Sequence, residues 1–269
     1  YSNKNGVMSI YIISMIDGEF LETITTGQIT SEYEELHILR PGISWSPNGE
    51  KIIFSAKSGE SDALFILDIN NLENKIKKTF NIEGIYSPSW HHSKDIIAFI
   101  GNNGAQSDVY IYNINDDSLS NITNDIYSDM QVSWISNEES LLFISDRENN
   151  IKPNVSLDIL SLFDKDFSRT DIYKYNINSK KITRLTNTEH NEFYPVSSPN
   201  GENIAYISDE SGINNIYITN DNFNSNYPIT NVLTGITQLN WNSDSQIAFT
   251  GFYKSGYDVF ILSNIENEV

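Results

Sequence analysis

The sequence predicts an all-β fold made of repeated four-stranded antiparallel blades, the arrangement of a β-propeller. The first observation is a repeat of about 44 residues in which a Trp or Ser precedes a turn and an apolar run. Its copies are centred on Trp45, Trp90, Trp134, Ser197 and Trp241. The second observation is that each copy holds four short apolar runs separated by turn residues, which fits an antiparallel meander. This period and strand number are typical of propeller blades.

The second unit shows the strand pattern most clearly. Residues 88–90 predict the first strand, 96–100 the second, 109–112 the third and 119–123 the fourth. The second strand, Ile-Ile-Ala-Phe-Ile, is apolar at successive positions rather than at alternate ones. Because such a strand has to be covered on both faces, it favours a blade packed between two neighbours. No stretch keeps a helical apolar period, so no layer of helices is predicted.

Two polar features are predicted to be structural, because each recurs in more than one blade. The turn Ser-Pro-Asn-Gly occurs at 46–49 and 198–201, where Asn-Gly suits the positive φ of a tight hairpin. A short acidic or amide residue opens every third strand, and we expect it to hydrogen-bond its own hairpin backbone. These openers are Asp62, Asp108, Asp171, Asn215 and Asp258.

The repeat makes residues 1–269 a single β-propeller domain. Residues 1–30 predict a partial blade, 31–81, 82–124, 125–187 and 188–231 predict full blades, and 232–269 predict another partial blade. We expect six blades that are incomplete at both ends. The alternative is a five-bladed closure in which 19–26 pairs with 257–262. Because the first strand segment matches the middle of a blade, we also expect the chain to be a fragment of a longer protein with further domains.

Composition narrows the classes of partner. The net charge of −19 and a pI near 4.4 disfavour binding to nucleic acid and to anionic membrane surfaces. There is no cysteine, so no disulfide can form. No apolar run reaches about 18 residues, so no membrane insertion is predicted. A protein or peptide partner is therefore the expectation.

Short motifs in every region resemble the TolB-type, WD40-like propeller repeat of bacterial proteins, over essentially the whole chain. They are Trp-Ser-Pro-Asn-Gly at 45–49, Pro-Ser-Trp at 88–90, Asp-Ile-Tyr at 171–173, Leu-Thr-Asn at 185–187 and Ser-Pro-Asn-Gly at 198–201. The resemblance implies a non-catalytic protein-interaction or scaffold module of the bacterial cell envelope or periplasm, with a cytoplasmic location left open.

The resemblance also leaves two enzymatic alternatives. Similar repeats form the substrate-gating propeller of prolyl-oligopeptidase and dipeptidyl-peptidase-like serine peptidases, whose catalytic domain would be absent from this chain. Others are propeller lyases or glycosidases. Fold alone does not choose among these roles.

The sequence contains no motif of a catalytic centre. It lacks Gly-x-Ser-x-Gly, His-Glu-x-x-His and a Gly-rich phosphate loop. His91 and His92 fall at one end of the predicted blades, whereas His37 and His190 fall at the other. A metal site shared by all four is therefore disfavoured, and we expect no metal and no cofactor.

The insertion 147–170 is the largest irregularity of the repeat. It adds about 19 residues and carries an apolar run at 155–163, and loops of this length usually carry a function or are disordered. It is interpreted as a lid over one end of the central channel or as a partner-binding element. Partner contacts are predicted there and in the neighbouring loops, at Arg40, Tyr86, Tyr127, Arg147, Phe163, Phe167, His190, Phe193 and Tyr194.

Acidic residues are frequent in the connections between successive blades. They are Glu32, Glu34, Glu35, Asp125, Asp129, Glu189 and Glu192. We interpret them as a solvated acidic rim of the channel. The alternative is an acidic funnel that attracts a basic peptide segment or a cation.

Overall fold

The computed structural model describes residues 1–27, 33–37, 40, 42–152, 167–220, 225–241 and 246–265. Their contacts divide the chain into two compact units, Tyr1–Asn121 and Ile122–Val269, and each unit is described by itself. Every strand pair in the described ranges is antiparallel. Within these ranges no helix is long and apolar enough to cross a bilayer.

The first unit contains three sheets. Strands β1 (Ser9–Ile13) and β2 (Phe20–Thr26) form a two-stranded sheet. The second sheet holds β3 (Glu35–Leu36), β4 (Ile43–Trp45), β5 (Lys51–Lys57), β6 (Asp62–Asp68) and β7 (Asn71–Thr79). The third holds β8 (Gly84–Trp90), β9 (Ile96–Asn103), β10 (Gln106–Asn113) and β11 (Ser118–Asn121).

The second unit also contains three sheets. The first holds β12 (Asp129–Trp134), β13 (Ser140–Ser145), β14 (Asp171–Asn176) and β15 (Lys181–Arg184). The next holds β16 (Glu192–Ser197), β17 (Asn203–Ser208), β18 (Asn215–Asn220) and β19 (Asn226–Pro228). The last has three strands, β20 (Ile236–Trp241), β21 (Ile247–Tyr253) and β22 (Gly256–Leu262).

Five of these sheets have the meander order of propeller blades. Both β3 and β4 pair with β5, so they are two segments of one interrupted first strand. Four blades thus have first to fourth strands, and β20–β22 has the first three. The predicted all-β propeller of four-stranded blades is confirmed, and the five-bladed alternative matches the number of blades found.

A stacked pair of aromatic rings joins the second and third strands of every blade. The five pairs have ring centroids 5.5–5.9 Å apart and interplanar angles of 10–29°. They are Phe54–Phe65, Phe99–Tyr110, Phe143–Tyr173, Tyr206–Tyr217 and Phe249–Phe260. In each pair the two residues are directly opposed in the strand register, so cross-strand stacking adds to the burial of the blade centre.

The Ser-Pro-Asn-Gly turns use one hydrogen-bond network in both copies. In the second copy the Ser198 hydroxyl donates to Asn200 Oδ1 (2.6 Å), and the N–H of Asn203 donates back to Ser198 Oγ (2.9 Å). Ser46, Asn48 and Lys51 repeat this arrangement. Gly201 has φ +75°, and a Cβ there would lie 2.4 Å from the carbonyl oxygen of Ser136 in the neighbouring blade. The turn is therefore a structural contact between blades, as the recurrence predicted.

The residues that open the third strands are also structural, but their partners differ from the expected ones. Asn215 accepts from the Thr230 hydroxyl (3.0 Å), which in turn accepts from the N–H of Ile216 (2.8 Å). Asp171, Thr186 and Ile172 repeat this bridge at 3.3 and 2.8 Å. In these two blades the opener therefore ties the third strand to the Thr that follows the fourth strand, whereas Asp62 accepts from the N–H of Ile85 and Asp108 from the side-chain amide of Asn121.

Candidate functional site

The strongest departure from the repeat lies at one end of the blade β12–β15. The chain leaves β13 at Ser145 and returns to β14 at Asp171, so the insertion joins the second and third strands. Both stems, 147–152 and 167–170, are described, and the apolar run 155–163 lies outside the described residues. The connection from β15 to β16 reaches the same end, because in a meander alternate loops share one end of the sheet.

A buried arginine forms the base of this end. Arg147 is fully buried, and its guanidinium donates to Asp125 Oδ2 (3.0 Å) and to Asp129 Oδ1 (2.5 Å). Its Nε donates to the Ser145 hydroxyl at 3.0 Å. Three aromatic rings surround the guanidinium at 5.2–5.7 Å, those of Tyr127, Phe143 and Tyr173. Cation–π contact and bidentate hydrogen bonding both suit arginine in a buried ion pair.

The positive charge of Arg147 and the negative charges of Asp125 and Asp129 stabilise one another. Burial by itself lowers the pKa of Arg147, but the carboxylates of Asp129 and Asp125 outweigh it and raise that pKa above its ordinary value. The neighbouring Asp146 accepts from the N–H of Ser128 at 2.9 Å, and burial raises the pKa of Asp146 to about 6. The first residues of the insertion are thus anchored to the blade.

A second arginine connects the stem to the fourth strand. Arg184 donates to Asp171 Oδ2 (2.5 Å) and to Asn149 Oδ1 (3.0 Å). A polar cavity of about 230 Å³ opens beside this bridge. Its lining residues are Glu148, Asn149, Arg169, Asp171, Arg184, Asn187 and Thr188. Two cations, two carboxylates and neutral polar groups therefore face one small space.

A carboxyl group with a raised pKa lies next to the cavity. The hydroxyl of Thr188 donates to Glu192 at 2.5 Å, and the Thr186 hydroxyl shares its one proton between Glu192 (3.1 Å) and Asp171 (3.3 Å). Burial, together with the nearby charge of Asp171 and against these hydrogen bonds, raises the pKa of Glu192 to about 7. Glu192 is therefore able to hold a proton near neutral pH.

The chemistry of this end is that of a hydrogen-bonding surface. Within the described ranges no group of three or more His, Cys, Asp or Glu side chains is arranged to hold a metal ion. The ionic groups of the stem bind one another, so the base is rigid and polar. Such a base suits recognition of a polar or charged segment of a partner.

The structure separates the predicted contact residues at this end. Tyr127 and Arg147 are fully buried, so neither presents a surface to a partner in this structure. Both side chains are structural. Arg147 is held by its two carboxylate partners, as a cation removed from water requires, and the Tyr127 ring packs beside its guanidinium. Phe167 is 42% exposed and the His190 side chain is 40% exposed, so both offer contact area. Phe163 lies outside the described residues.

Phe193 and Tyr194 lie on β16 and are half-buried. Phe193 packs against the apolar clusters of the second unit. Tyr194 has φ 49°, and its N–H donates to Gln131 Oε1 at 2.7 Å. The register of β16 against β17 shifts at this point, and β8 and β12 have the same shift with positive φ at Ser87 and Gln131. Tyr194 therefore belongs to a bulge that recurs in first strands.

Arg40 and Tyr86 lie in the first unit. The guanidinium of exposed Arg40 lies 5.0 Å from the centre of the Tyr86 ring. The other side chain near Tyr86 is His37, which pairs with Asp62 at 2.8 Å. Burial and the charge of Asp62 raise the pKa of Tyr86. This half-buried cluster is separate from the stem residues in the sequence and joins β6 of one blade to β8 of the next.

The interpretation of a solvated acidic rim is wrong for three of its members. Asp125, Asp129 and Glu192 are buried, the first two against Arg147 and the third against threonine hydroxyls. Glu34, Glu35 and Glu189 are exposed, and Glu32 lies outside the described residues. Acidic residues in these connections are therefore split between internal ion pairs and solvent.

Sequence reasoning did not identify Arg184, Asn149 or Glu148. Arg184 is opposite Tyr173 in the strand register. The same position is Asn121 and Pro228 in two other blades, but it is Lys77 in the blade β3–β7. A cation at this position is therefore not confined to the blade with the insertion, and the sequence alone did not distinguish Arg184.

Comparisons with known proteins support the repeat assignment. The chain is 29% identical over 197 residues to the Tol-Pal system protein TolB of Francisella tularensis, which covers 71% of the chain. The chain spans 40% of the length of this relative. No family model matches the sequence.

Solved structures with similar folds include TolB proteins and peptidases. The structure of putative TolB from Agrobacterium tumefaciens has a TM-score of 0.70 and 17% identity, covering 90% of this chain and 80% of that one. A puromycin-hydrolysing peptidase of Mycobacterium tuberculosis has a TM-score of 0.58 and 13% identity over 81% of this chain and 35% of its own. Likeness at these identities shows the fold alone. The chain is thus a β-propeller repeat protein that resembles TolB in sequence and in fold.

Proposed function

We propose that this chain is a non-catalytic protein-interaction module of a Tol–Pal-type system in the bacterial cell envelope. The observation that carries the proposal is the 29% identity to TolB over 71% of the chain. The resemblance to TolB supports a location in the periplasm, where TolB-type propellers bind other proteins. The net charge of −19 is compatible with a protein partner and disfavours nucleic acid.

The partner-binding end would be the insertion end of the blade β12–β15. Loops on a rigid scaffold commonly carry recognition, and this end combines a fixed ionic base with exposed residues above it. Phe167 supplies an exposed aromatic ring, Arg169 an exposed cation and His190 a half-exposed imidazole. Aromatic and arginine side chains are the residue types that most often anchor protein interfaces.

The polar cavity beside Arg184 supports the same end. Its mixture of cations, carboxylates and amides can pair with the main chain and the charged side chains of a partner segment. Arg184 itself is held by Asp171 and Asn149, so it would orient the cavity wall rather than move to meet a partner.

Site-specific photo-crosslinking in the native cells tests the proposal. A photoreactive amino acid would replace Phe167 in one variant and His190 in another. The matched control replaces Pro199, which is exposed in the turn at the opposite end of the next blade. We expect a discrete crosslinked protein from positions 167 and 190 and none from 199. No crosslinked protein from either test position, or the same one from position 199, would overturn the proposal.

A further inference from the structure

The turns that join first and second strands also make contacts between neighbouring blades. In the second unit the N–H of Ser136 donates to Ser197 Oγ at 3.2 Å. The side-chain amide of Asn137 donates to the carbonyl oxygen of Asn200, also at 3.2 Å. These hydrogen bonds and the close approach of Gly201 seal the junction between the blades β12–β15 and β16–β19.

The junction between the blades β3–β7 and β8–β11 of the first unit cannot form the first of these hydrogen bonds. Counted from the end of the first strand, Pro47 takes the position of Ser136. Trp90 takes the position of Ser197. A proline has no N–H to donate, and an indole has no oxygen to accept one. The two blades are instead tied by the N–H of Trp90, which donates to Ser44 Oγ at 2.9 Å.

A cavity of about 280 Å³ lies at this junction of the first unit. Trp90 forms part of its wall, and the Nε1–H of this buried side chain has no hydrogen-bond acceptor among the described residues. A buried donor without an acceptor is rare and costs free energy, so an added acceptor would be favourable here. The residues that line the cavity are Ser46, Pro47, Asn48, Lys51, Trp90, Ser93, Lys94 and Asp95.

Positive charge predominates in this lining, although the whole chain has a net charge of −19. Lys51 and Lys94 come from the two facing turns, and Asp95 is the carboxylate of the lining. Glu50 lies outside the lining, where it accepts from the side-chain amide of Asn48 at 2.6 Å. Two cations against one carboxylate in a concave space favour an anion.

The lysines, and not the tryptophan, distinguish this junction from another in the repeat. Pro199 and Trp241 have the same positions in their blades as Pro47 and Trp90. The Nε1–H of Trp241 is likewise buried, with no acceptor in the part of the chain that the structure describes. In the sequence of that pair, however, the positions of Lys51 and Lys94 are occupied by uncharged residues, Asn203 and Ser245.

We infer that this cavity binds a small molecule that carries an anionic oxygen group, a carboxylate or a phosphate. The anionic oxygens accept from the ammonium groups of Lys51 and Lys94, because charge-assisted hydrogen bonds are about twice as strong as neutral ones. The same group supplies an acceptor for Trp90 Nε1–H, and the rest of the molecule contacts Pro47. A concave space with a few convergent polar groups is the usual form of a small-molecule site. The site lies in other blades than the insertion end and uses other loops.

Nuclear magnetic resonance of the intact chain, labelled with ¹⁵N in its four tryptophans, tests the inference. Single Trp→Phe variants assign the indole N–H resonances of Trp90 and Trp241. Acetate and inorganic phosphate are titrated separately at constant ionic strength. We expect a saturable shift of the Trp90 resonance and none of the Trp241 resonance, and the anion with the higher affinity identifies the group. Acetamide, which has the shape of acetate without its charge, should cause no saturable shift.

Substitutions of the lysines locate the bound anion. Lys51→Gln and Lys94→Gln should each weaken the affinity about tenfold, because each removes a hydrogen bond from a charged group. The matched control is Lys57→Gln, at the other end of β5, where the Lys57 ammonium donates to the carbonyl oxygen of Glu60. It removes the same charge and should leave the affinity unchanged. No saturable shift with either anion, the same shift with acetamide, or an equal loss of affinity in Lys57→Gln would overturn the inference.

Discussion

Replacing Arg147 by leucine should destabilise the second unit by several kcal/mol and in a pH-dependent manner. The guanidinium is fully buried and compensates two buried carboxylates, Asp125 and Asp129. Removing one partner of a buried ion pair typically costs about 3–5 kcal/mol, because the remaining charge stays desolvated. Leucine fills part of the space between the rings, so the loss arises mainly from the uncompensated charges and not from a cavity.

The pH dependence separates this cause from lost packing. In the Arg147→Leu variant the two carboxylates have no cation, so their pKa values should rise and protonation should relieve the repulsion. We expect the loss in the free energy of unfolding to be larger at pH 8 than at pH 5. Urea denaturation followed by tryptophan fluorescence measures it, since Trp134 lies in the same blade.

The control is Lys181→Leu, which removes an exposed cation from β15 of that blade. It should change the free energy of unfolding by no more than about 0.5 kcal/mol at either pH. The reasoning is refuted if Arg147→Leu costs less than about 1 kcal/mol, or if its cost is the same at pH 5 and pH 8.

Two further substitutions test other parts of the second unit by urea denaturation. Gly201→Ala should lower the free energy of unfolding by about 1–3 kcal/mol more than Gly49→Ala does. Both glycines have positive φ, but only Gly201 faces a backbone oxygen, that of Ser136. Equal losses in the two variants would contradict the close approach of the blades. Burial raises the pKa of Glu192 to about 7 from its ordinary 4.5, so between these values the folded chain holds a proton that the unfolded chain has lost. Glu192 alone should therefore lower the stability by about 3 kcal/mol as pH rises through this window, and Glu192→Gln should remove this part of the fall while the part due to Asp146 remains. An unchanged profile in the variant would show that Glu192 does not titrate as expected.

The strands were predictable because the pattern of each strand recurs in successive copies of the repeat. The second strand of the second unit, predicted at 96–100, is observed as Ile96–Asn103, and the predicted partial unit at 1–30 forms β1 and β2. Turn chemistry is local, so Ser-Pro-Asn-Gly was assigned correctly from its letters. A local sequence pattern that recurs in several copies therefore predicts both the strands and their order along the chain.

The partners of charged residues were not predictable in the same way. Asp125 and Asp129 look like solvated loop acids in the sequence, and their burial depends on Arg147, which is 18 residues or more away. Because an ion pair joins distant segments, no local pattern reveals it. Exposed acids and internal acids of the same connections differ only in what the fold brings near them, as Glu189 and Glu192 show.

Residues that recur from blade to blade stabilise the blades, whereas residues found in one blade only are the candidates for binding. In two blades of the second unit the opener, the threonine hydroxyl and the following N–H close a bridge that holds the third strand. Arg184 leaves that bridge in place and adds a cation beside Asp171, which shapes a polar cavity. The proposed recognition at the insertion end therefore depends on residues that are added to the repeat, and substitutions at Phe167 and His190 test it without breaking the bridge.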